Sequence, residues 1–221
     1  MQNFATPAPV SAVVDVPAGR LTFVAADRAD TTVEVRPADA SKRRDVEAAE
    51  QTTVAFADGV LRVTAPDGHG AFGPSGAVDV SVQLPAGSAV EVTAASAPLR
   101  GVGRLGAVVV ETAHGDIKLD EAASARLATQ AGDVTVGRLT GDGTLSTAKG
   151  DLRVDEAVQG ALELRTQAGD ITVGVASGVT ASLDAGTTLG RVSNAITNSG
   201  GDVQVTIRAT TTMGDIAAHS R

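Results

Sequence analysis

The 221 residues include no cysteine, no tryptophan and no tyrosine, and only four phenylalanines. Without cysteine there are no disulfides, thiolate metal centres, iron–sulfur clusters or thiol nucleophiles. With aromatics at 2%, the stacking platforms that single-stranded nucleic acids and sugars favour are scarce. No apolar run approaches the roughly 20 residues that span a bilayer, so no membrane span is expected. Residues 1–10 carry no Lys or Arg and no apolar h-region, and they include Pro7 and Pro9. No secretory signal is read in this chain, and the expected location is cytoplasmic. A surface location would need a trimmed leader or a leader-independent route.

A basic face is missing too. Net charge is -8, from 18 basic and 26 acidic side chains. Residues 1–80 hold 7 basic and 11 acidic groups, residues 81–221 hold 11 and 15, so neither part is a cationic patch. Such a balance repels phosphate backbones, and nucleic acid is not an expected partner.

What is abundant is small and β-branched. Hydrophobic residues reach 43%, mostly Ala and Val, alongside 25 glycines. Gly-Asp followed by an aliphatic residue recurs at Gly115-Asp116-Ile117, Gly132-Asp133-Val134, Gly150-Asp151-Leu152, Gly169-Asp170-Ile171 and Gly214-Asp215-Ile216. Gly190-Arg191-Val192 is the same unit with Arg for Asp. Successive glycines are 17, 18, 19, 21 and 24 residues apart. Three positions before each Gly stands Thr112, Thr129, Thr147, Thr166, Thr187 or Thr211, and five before it an apolar residue, from Val110 and Leu127 to Ala185 and Ala209. Four after it come Leu119, Val136, Val154 and Val173, then the pattern weakens to Asn194 and Ala218. A worn copy, Ala97-Pro98-Leu99 with Val92 and Ala94, precedes the six, so the array has about seven copies.

Each copy reads apolar-x-Thr-x-x-Gly-Asp-apolar-x-apolar. Both halves alternate with period 2, which predicts short strands meeting at a Gly-Asp bend. At about 3.3 Å per extended residue, one copy makes a coil of about 60 Å. The expected fold is all-β, a parallel β-helix or solenoid of about seven rungs. Thr112, Thr129, Thr147 and Thr166 should stack in one column, and Ile117, Val134, Leu152 and Ile171 in another, about 4.8 Å apart.

The division expected from sequence is 1–85, a strand-rich N-terminal cap continuous with the solenoid, and 86–221, the repeats. Within the first part, residues 11–16, 20–25, 31–36, 52–56, 60–64 and 77–84 read as strands. Ala57-Asp58-Gly59 is a hairpin signal. Lys42 to Gln51 is the one plausible helix, with Lys42, Arg43 and Arg44 opposing the dipole in its first turn. It is expected to be the lid over the first rung, since an open end exposes unpaired strand edges. Pro66 to Gly76 reads as a Gly/Pro-rich loop.

The segments "FATPAPVSAVVDVPAGRLTFVAADRADTTVEVRP", "DVEAAEQTTVAFADGVLRVTAP" and "VDVSVQLPAGSAVEV", together with the Thr-x-x-Gly-Asp-Ile repeats, resemble a bacterial β-strand-repeat family of unknown function often labelled "putative adhesin". The actinobacterial branch looks nearest. The resemblance covers nearly the whole chain. It implies a right-handed parallel β-helix and supplies no catalytic or ligand residues.

Several constellations bear on chemistry. The column Asp116, Asp133, Asp151, Asp170, Asp215 could offer oxygens to Ca²⁺, which wants six to eight. Arg191 interrupts it, so each Asp is expected to satisfy its own turn. Paired carboxylates could hydrolyse glycosides, but the aromatic platforms are missing. His69, His114 and His219 have no metal-ligand spacing and read as exposed turn or tail residues. No Gly-x-Ser-x-Gly elbow or phosphate-binding loop occurs. The Thr column shares its parity with Val110, Leu127 and Leu145 and should point inward.

The sequence therefore predicts a non-catalytic structural or interaction module, adhesin-like, with no cofactor and no catalytic or metal residues. A carbohydrate-active or sugar-binding surface protein and a self-assembling cytoplasmic scaffold are the alternatives. The expected partner is an unidentified protein or a second copy, bound through an open C-terminal edge at residues 203–216. The segment Asn198-Ser199-Gly200-Gly201 is the one stretch with length to fold back and seal that edge.

Overall fold

A computed structural model describes residues 1–66, 76–198 and 200–221. Among them are eighteen strands and one helix, in two compact units, Met1–Gly115 and Asp116–Arg221. The Pro66–Gly76 loop lies almost wholly outside the described residues, as do His69 and Ser199.

The first unit comprises β1 (Gln2–Ala5), β2 (Ser11–Ala26), β3 (Asp30–Pro37), α1 (Arg43–Gln51), β4 (Thr53–Ala57), β5 (Val60–Thr64), β6 (Val78–Pro85), β7 (Ala89–Ser96) and β8 (Leu99–His114). The long strand β2 is its spine. Residues 11–18 run parallel to β5 on one side and β7 on the other, while residues 19–26 run parallel to β6 and β8. The two halves meet at Gly19, with φ +142°, where a Cβ would stand 1.7 Å from the Val78 carbonyl oxygen. Only glycine can take that backbone so close to its neighbour. Val14-x-Val16-x-x-Gly19-x-Leu21 is thus an earlier, unrecognised copy of the repeat, with Leu21 opposite Leu99 and Val14 opposite Val92. The worn copy is in place as well, Ala94 lying opposite Thr112.

The outer strands of this unit are antiparallel: β3 on β6, β1 on β3, and β4 on β5. Asp58 (φ 51°) and Gly59 (φ 76°) make the tight β4–β5 turn that the sequence signalled. The Phe4 and Phe56 rings, on β1 and β4, meet with centroids 5.3 Å apart. The helix is where expected. It packs on β3 and β6, held by the buried Asp45, whose carboxylate accepts the Ala77 N–H at 2.9 Å. That bond satisfies a charge otherwise costly to bury. The outermost strands are β1 and β4, with the two phenylalanines between them.

The second unit comprises β9 (Ile117–Ala131), β10 (Val134–Leu139), β11 (Gly143–Lys149), β12 (Leu152–Ala157), β13 (Gly160–Ala168), β14 (Ile171–Val175), β15 (Ala181–Leu189), β16 (Val192–Ala195), β17 (Val205–Met213) and β18 (Ile216–Ser220). Its strands pair in parallel, in two ladders. One ladder aligns Ile117, Val134, Leu152, Ile171, Ile216 and Val192, each on the next. The other aligns Thr129, Thr147, Thr166, Thr211 and Thr187. Both registers follow the offset from the repeat glycine, as read from the sequence. Alternation puts Val134, Leu145, Leu152, Leu164 and Ile171 in the core with no exposure. Each such side chain contributes roughly 1.5–3 kcal/mol by leaving water.

Spatial order departs from chain order at one point. β17 lies between β13 and β15, and β18 between β14 and β16. The final repeat is threaded inside, and the penultimate one, residues 181–195, is the outer tier. The expected open edge at residues 203–216 is therefore paired on both sides. The described residues of the segment 196–204 lead the chain from the outer tier back to β17. Asn198 fastens it, accepting the Ala181 N–H at 2.9 Å and donating to the Ala181 carbonyl at 3.1 Å. His219 is likewise no tail residue: it lies half-buried within β18, between Gly174 and Ala195.

Candidate functional site

The chemistry-bearing residues of the repeat gather at the Gly-Asp corners of the second unit. The strands end there because glycine takes a φ between 143° and 156° at Gly132, Gly150, Gly169, Gly190 and Gly214. At Gly150 a Cβ would meet the Gly132 carbonyl oxygen at 2.1 Å, so the corner excludes every other residue.

Each aspartate then bonds to the next tier. Asp116 accepts the Asp133 N–H at 3.0 Å, Asp133 that of Asp151 at 2.8 Å, and Asp151 that of Asp170 at 2.8 Å. Asp170 accepts from Asp215 at 2.7 Å, and Asp215 from Arg191 at 2.8 Å. The aspartates do not each satisfy their own turn, as the sequence suggested; they clasp neighbouring tiers. Arg191 does not interrupt the row: in space it is the last member, beyond which no further tier pairs among the described residues. The Asp142 carboxylate repeats the device at another bend, taking the Ala161 N–H at 2.8 Å. Gly141-Asp142 is also a Gly-Asp pair, but Gly143 follows it, so the aliphatic signature failed to flag it.

The threonines point inward and are buried, except that Thr187 of the outer tier is half-buried. The Thr147, Thr166, Thr211 and Thr187 hydroxyls donate to the carbonyls of Gly132, Gly150, Gly169 and Gly214 at 3.0–3.2 Å. At these four corners Thr and Asp together stitch the tier to its neighbour through side chains, in addition to the backbone ladder; Thr129 instead donates to Ala131 of its own strand.

Acidic side chains elsewhere in the unit are engaged in ion pairs: Glu163 with Arg165, Glu156 with Arg138 at 2.6 Å, and Asp184 with Arg208 at 3.3 Å. An open hollow of about 300 Å³ lies along Leu162, Ile207 and Leu183 on three adjacent tiers. In the first unit, the Arg28 guanidinium donates to Asp30 at 2.9 Å and holds that carboxyl below the usual carboxylate range. His114 is exposed at its corner. Among the described residues no three His, Asp or Glu side chains converge on a common point suited to a metal ion. No helix among them is long and apolar enough to cross a membrane.

The other feature of note is the outer tier itself. Among the described residues, β15 pairs with β17 alone and β16 with β18 alone. Val192, Ser193, Asn194 and Ala195 are all exposed.

A family model described as Toastrack DUF4097 matches residues 13–221. No curated protein matches the chain. Among solved structures, a "putative adhesin" of Bacteroides fragilis is similar at 11% identity and a TM-score of 0.58, over 98% of this chain and 95% of that one. A "putative cell adhesion protein" of Clostridium sporogenes matches at 10% identity and a TM-score of 0.42, over 100% and 98%. A "putative adhesin" of Parabacteroides distasonis matches at 14% and 0.40, over 98% and 95%. The Bacteroides likeness supports the fold; the other two carry no argument.

Proposed function

The chain belongs to the Toastrack DUF4097 family, and on that premise we propose that it is a non-catalytic structural and interaction module, adhesin-like in role. The observation that carries this reading is the use made of the repeat's polar groups. The Asp carboxylates and Thr hydroxyls that could have formed a site bond between tiers instead. What remains, among the described residues, is a repetitive outer surface and an outer tier whose strands pair on one side alone. The finer architecture belongs to the same proposal: a right-handed parallel β-helix of about seven coils. Its support is the register, in which one repeat length brings a residue onto its counterpart, together with the strong right-handed preference of parallel crossovers.

Beads coated with the full chain should attach to bacterial or host cell surfaces more than albumin-coated beads do. The same protein should release no reducing ends from a panel of polysaccharides. Attachment no better than albumin overturns the reading. So does polysaccharide turnover that disappears in Glu163→Gln or Asp184→Asn, which would install the carbohydrate-active alternative.

A further inference from the structure

One face of the first unit departs from the acidic balance of the chain. On the outer side of its sheet, Arg20 and Arg36 stand opposite Asp79 from the two neighbouring strands, and Thr22 and Glu34 stand opposite Ser81. Arg100 lies beside Thr22 on the next strand. Three guanidinium-bearing residues thus meet two carboxylates here, in a chain whose net charge is -8. Among them is a hollow of about 260 Å³, lined by Arg20, Thr22, Glu34, Arg36, Asp79 and Ser81. A second, of about 360 Å³, shares Arg20 and Asp79 and is otherwise mostly apolar, with Ala18, Ala38, Ala77 and Pro98 in its wall.

We propose that these adjoining hollows bind an acidic saccharide, its carboxylate taken by Arg20 and Arg36 and its hydroxyls by Asp79 and Glu34. This rests on the adhesin-like reading and names the chemistry that reading recognises.

The two arginines are held differently from a structural one close by. Arg28 donates to Asp30 and Thr32 at 2.9–3.0 Å and also to Gln83, and its side chain is 19% exposed. Arg20 and Arg36 are 69% and 68% exposed. Among the described residues Arg20 has one ionic partner, Asp79 at 3.7 Å, beyond hydrogen-bond reach. Arg36 gives one nitrogen to Glu34 at 2.6 Å. Each lines the hollow with donors to spare, and a guanidinium fork grips a carboxylate through two parallel bonds.

The mixed charge narrows the ligand. A bare anion would be repelled by Asp79 and Glu34, and a neutral saccharide would leave the guanidiniums without a counter-charge. A ring carrying one carboxylate among hydroxyls meets both needs, and the Thr22 and Ser81 hydroxyls can give or take a bond. A run of acidic side chains in a peptide would set its next carboxylate against Asp79 or Glu34, a juxtaposition that costs affinity. The apolar second hollow suits the C–H face of the adjoining ring.

Isothermal titration of the full chain with a galacturonic acid trimer should give a Kd of about 0.1–1 mM at low salt, since exposed guanidiniums are well screened. Raising salt to about 0.5 M should weaken it several-fold. Arg20→Ala with Arg36→Ala should weaken binding at least tenfold with an unchanged melting curve. Arg20→Lys alone, which keeps the charge and loses the fork, should weaken it by less. Arg126→Ala, at an exposed position in the other unit, should change nothing. No binding at about 10 mM trimer overturns the proposal, and so does binding that the arginine pair leaves unaffected or that Arg126→Ala weakens as much. A neutral galactose trimer bound equally well would deny the arginines their role and overturn it. Tetraglutamate bound more tightly than the trimer would assign an acidic peptide and overturn the saccharide. Trimer binding without bead attachment would keep the site and overturn the adhesin-like reading, and attachment without trimer binding would do the reverse.

Discussion

The two units treat their outermost strands in opposite ways. In Met1–Gly115 the outer strands reverse direction: β1, β3 and β4 are antiparallel to their neighbours, and Phe4 meets Phe56 between β1 and β4. In Asp116–Arg221 the last tier stays parallel and keeps the repeat's own chemistry, without an aromatic residue. The first unit spends two of the chain's four phenylalanines on closing an edge. The second leaves its core column ending at Val192. The difference teaches that the repeat motif stabilises the space between tiers and has no means of finishing a stack. Finishing takes different residues, as in the first unit, or a partner.

The comparison can be broken most forcefully inside the stack. Leu152→Asp would place an unpaired charge between Val134 and Ile171 and should cost more than about 4 kcal/mol, enough to lose the strand signal by circular dichroism. Arg153→Asp, one residue on and exposed, should leave the melt nearly unchanged. Equal sensitivity at the two positions would end the alternation argument.

Next in size is the corner. Gly150→Ala must push a Cβ against the Gly132 carbonyl at a positive φ, and a loss of about 2–4 kcal/mol is expected from urea denaturation. Gly178→Ala, where φ is also positive but the space is open, should cost about 1 kcal/mol. Similar losses would mean that backbone conformation rather than tier-to-tier approach makes glycine necessary.

The closed edge is tested by Phe56→Ala. Removing one ring of a half-buried pair should cost about 1–2 kcal/mol, read as a lower melting temperature. No change would deny the pair any part in closing the first unit. The smallest effect sharpens the contrast within the Asp row. Asp151→Ala frees the Asp170 N–H and should cost about 1 kcal/mol. Arg191→Ala, at the equivalent position in the outer tier, should stay within about 0.5 kcal/mol of zero in the same denaturation series.

The parts of the fold legible in the sequence are those governed by local period and by like stacking on like. The Thr147–Thr166 and Val134–Leu152 registers followed from the offset to glycine because a coil of fixed length leaves no other alignment. The order of tiers was not legible, since repeats of equal shape can be stacked in more than one sequence. A trace of it was present. Asn194 and Arg191, where the pattern weakens, both lie in the tier that pairs on one side alone, although Ala218, which weakens it as well, lies in an inner one. The role of Asp at the corner was half legible: its type announced a bend, but which N–H it takes depends on the tier beyond, which no single repeat contains. Gly19 was missed because Arg20 follows it and Val16 stands where the six recognised copies have Thr. The helix was legible but what holds it was not, because Asp45 bonds to Ala77, far off in sequence.

The threading of the last repeat gives the carboxyl end of this chain an uncommon duty. A stack laid down in chain order could consolidate each layer as it leaves the ribosome, and losing the final layer would merely shorten it. Here residues 205–220 lie between layers made earlier, and the Arg221 N–H is bonded to the Val175 carbonyl at 2.9 Å. A nascent chain stopped before Val205 would lack the layer that fastens residues 181–195, so its newest portion would hang loose beside a finished stack. Ordering of residues 181–195 therefore waits on residues 205–220, which are made after them.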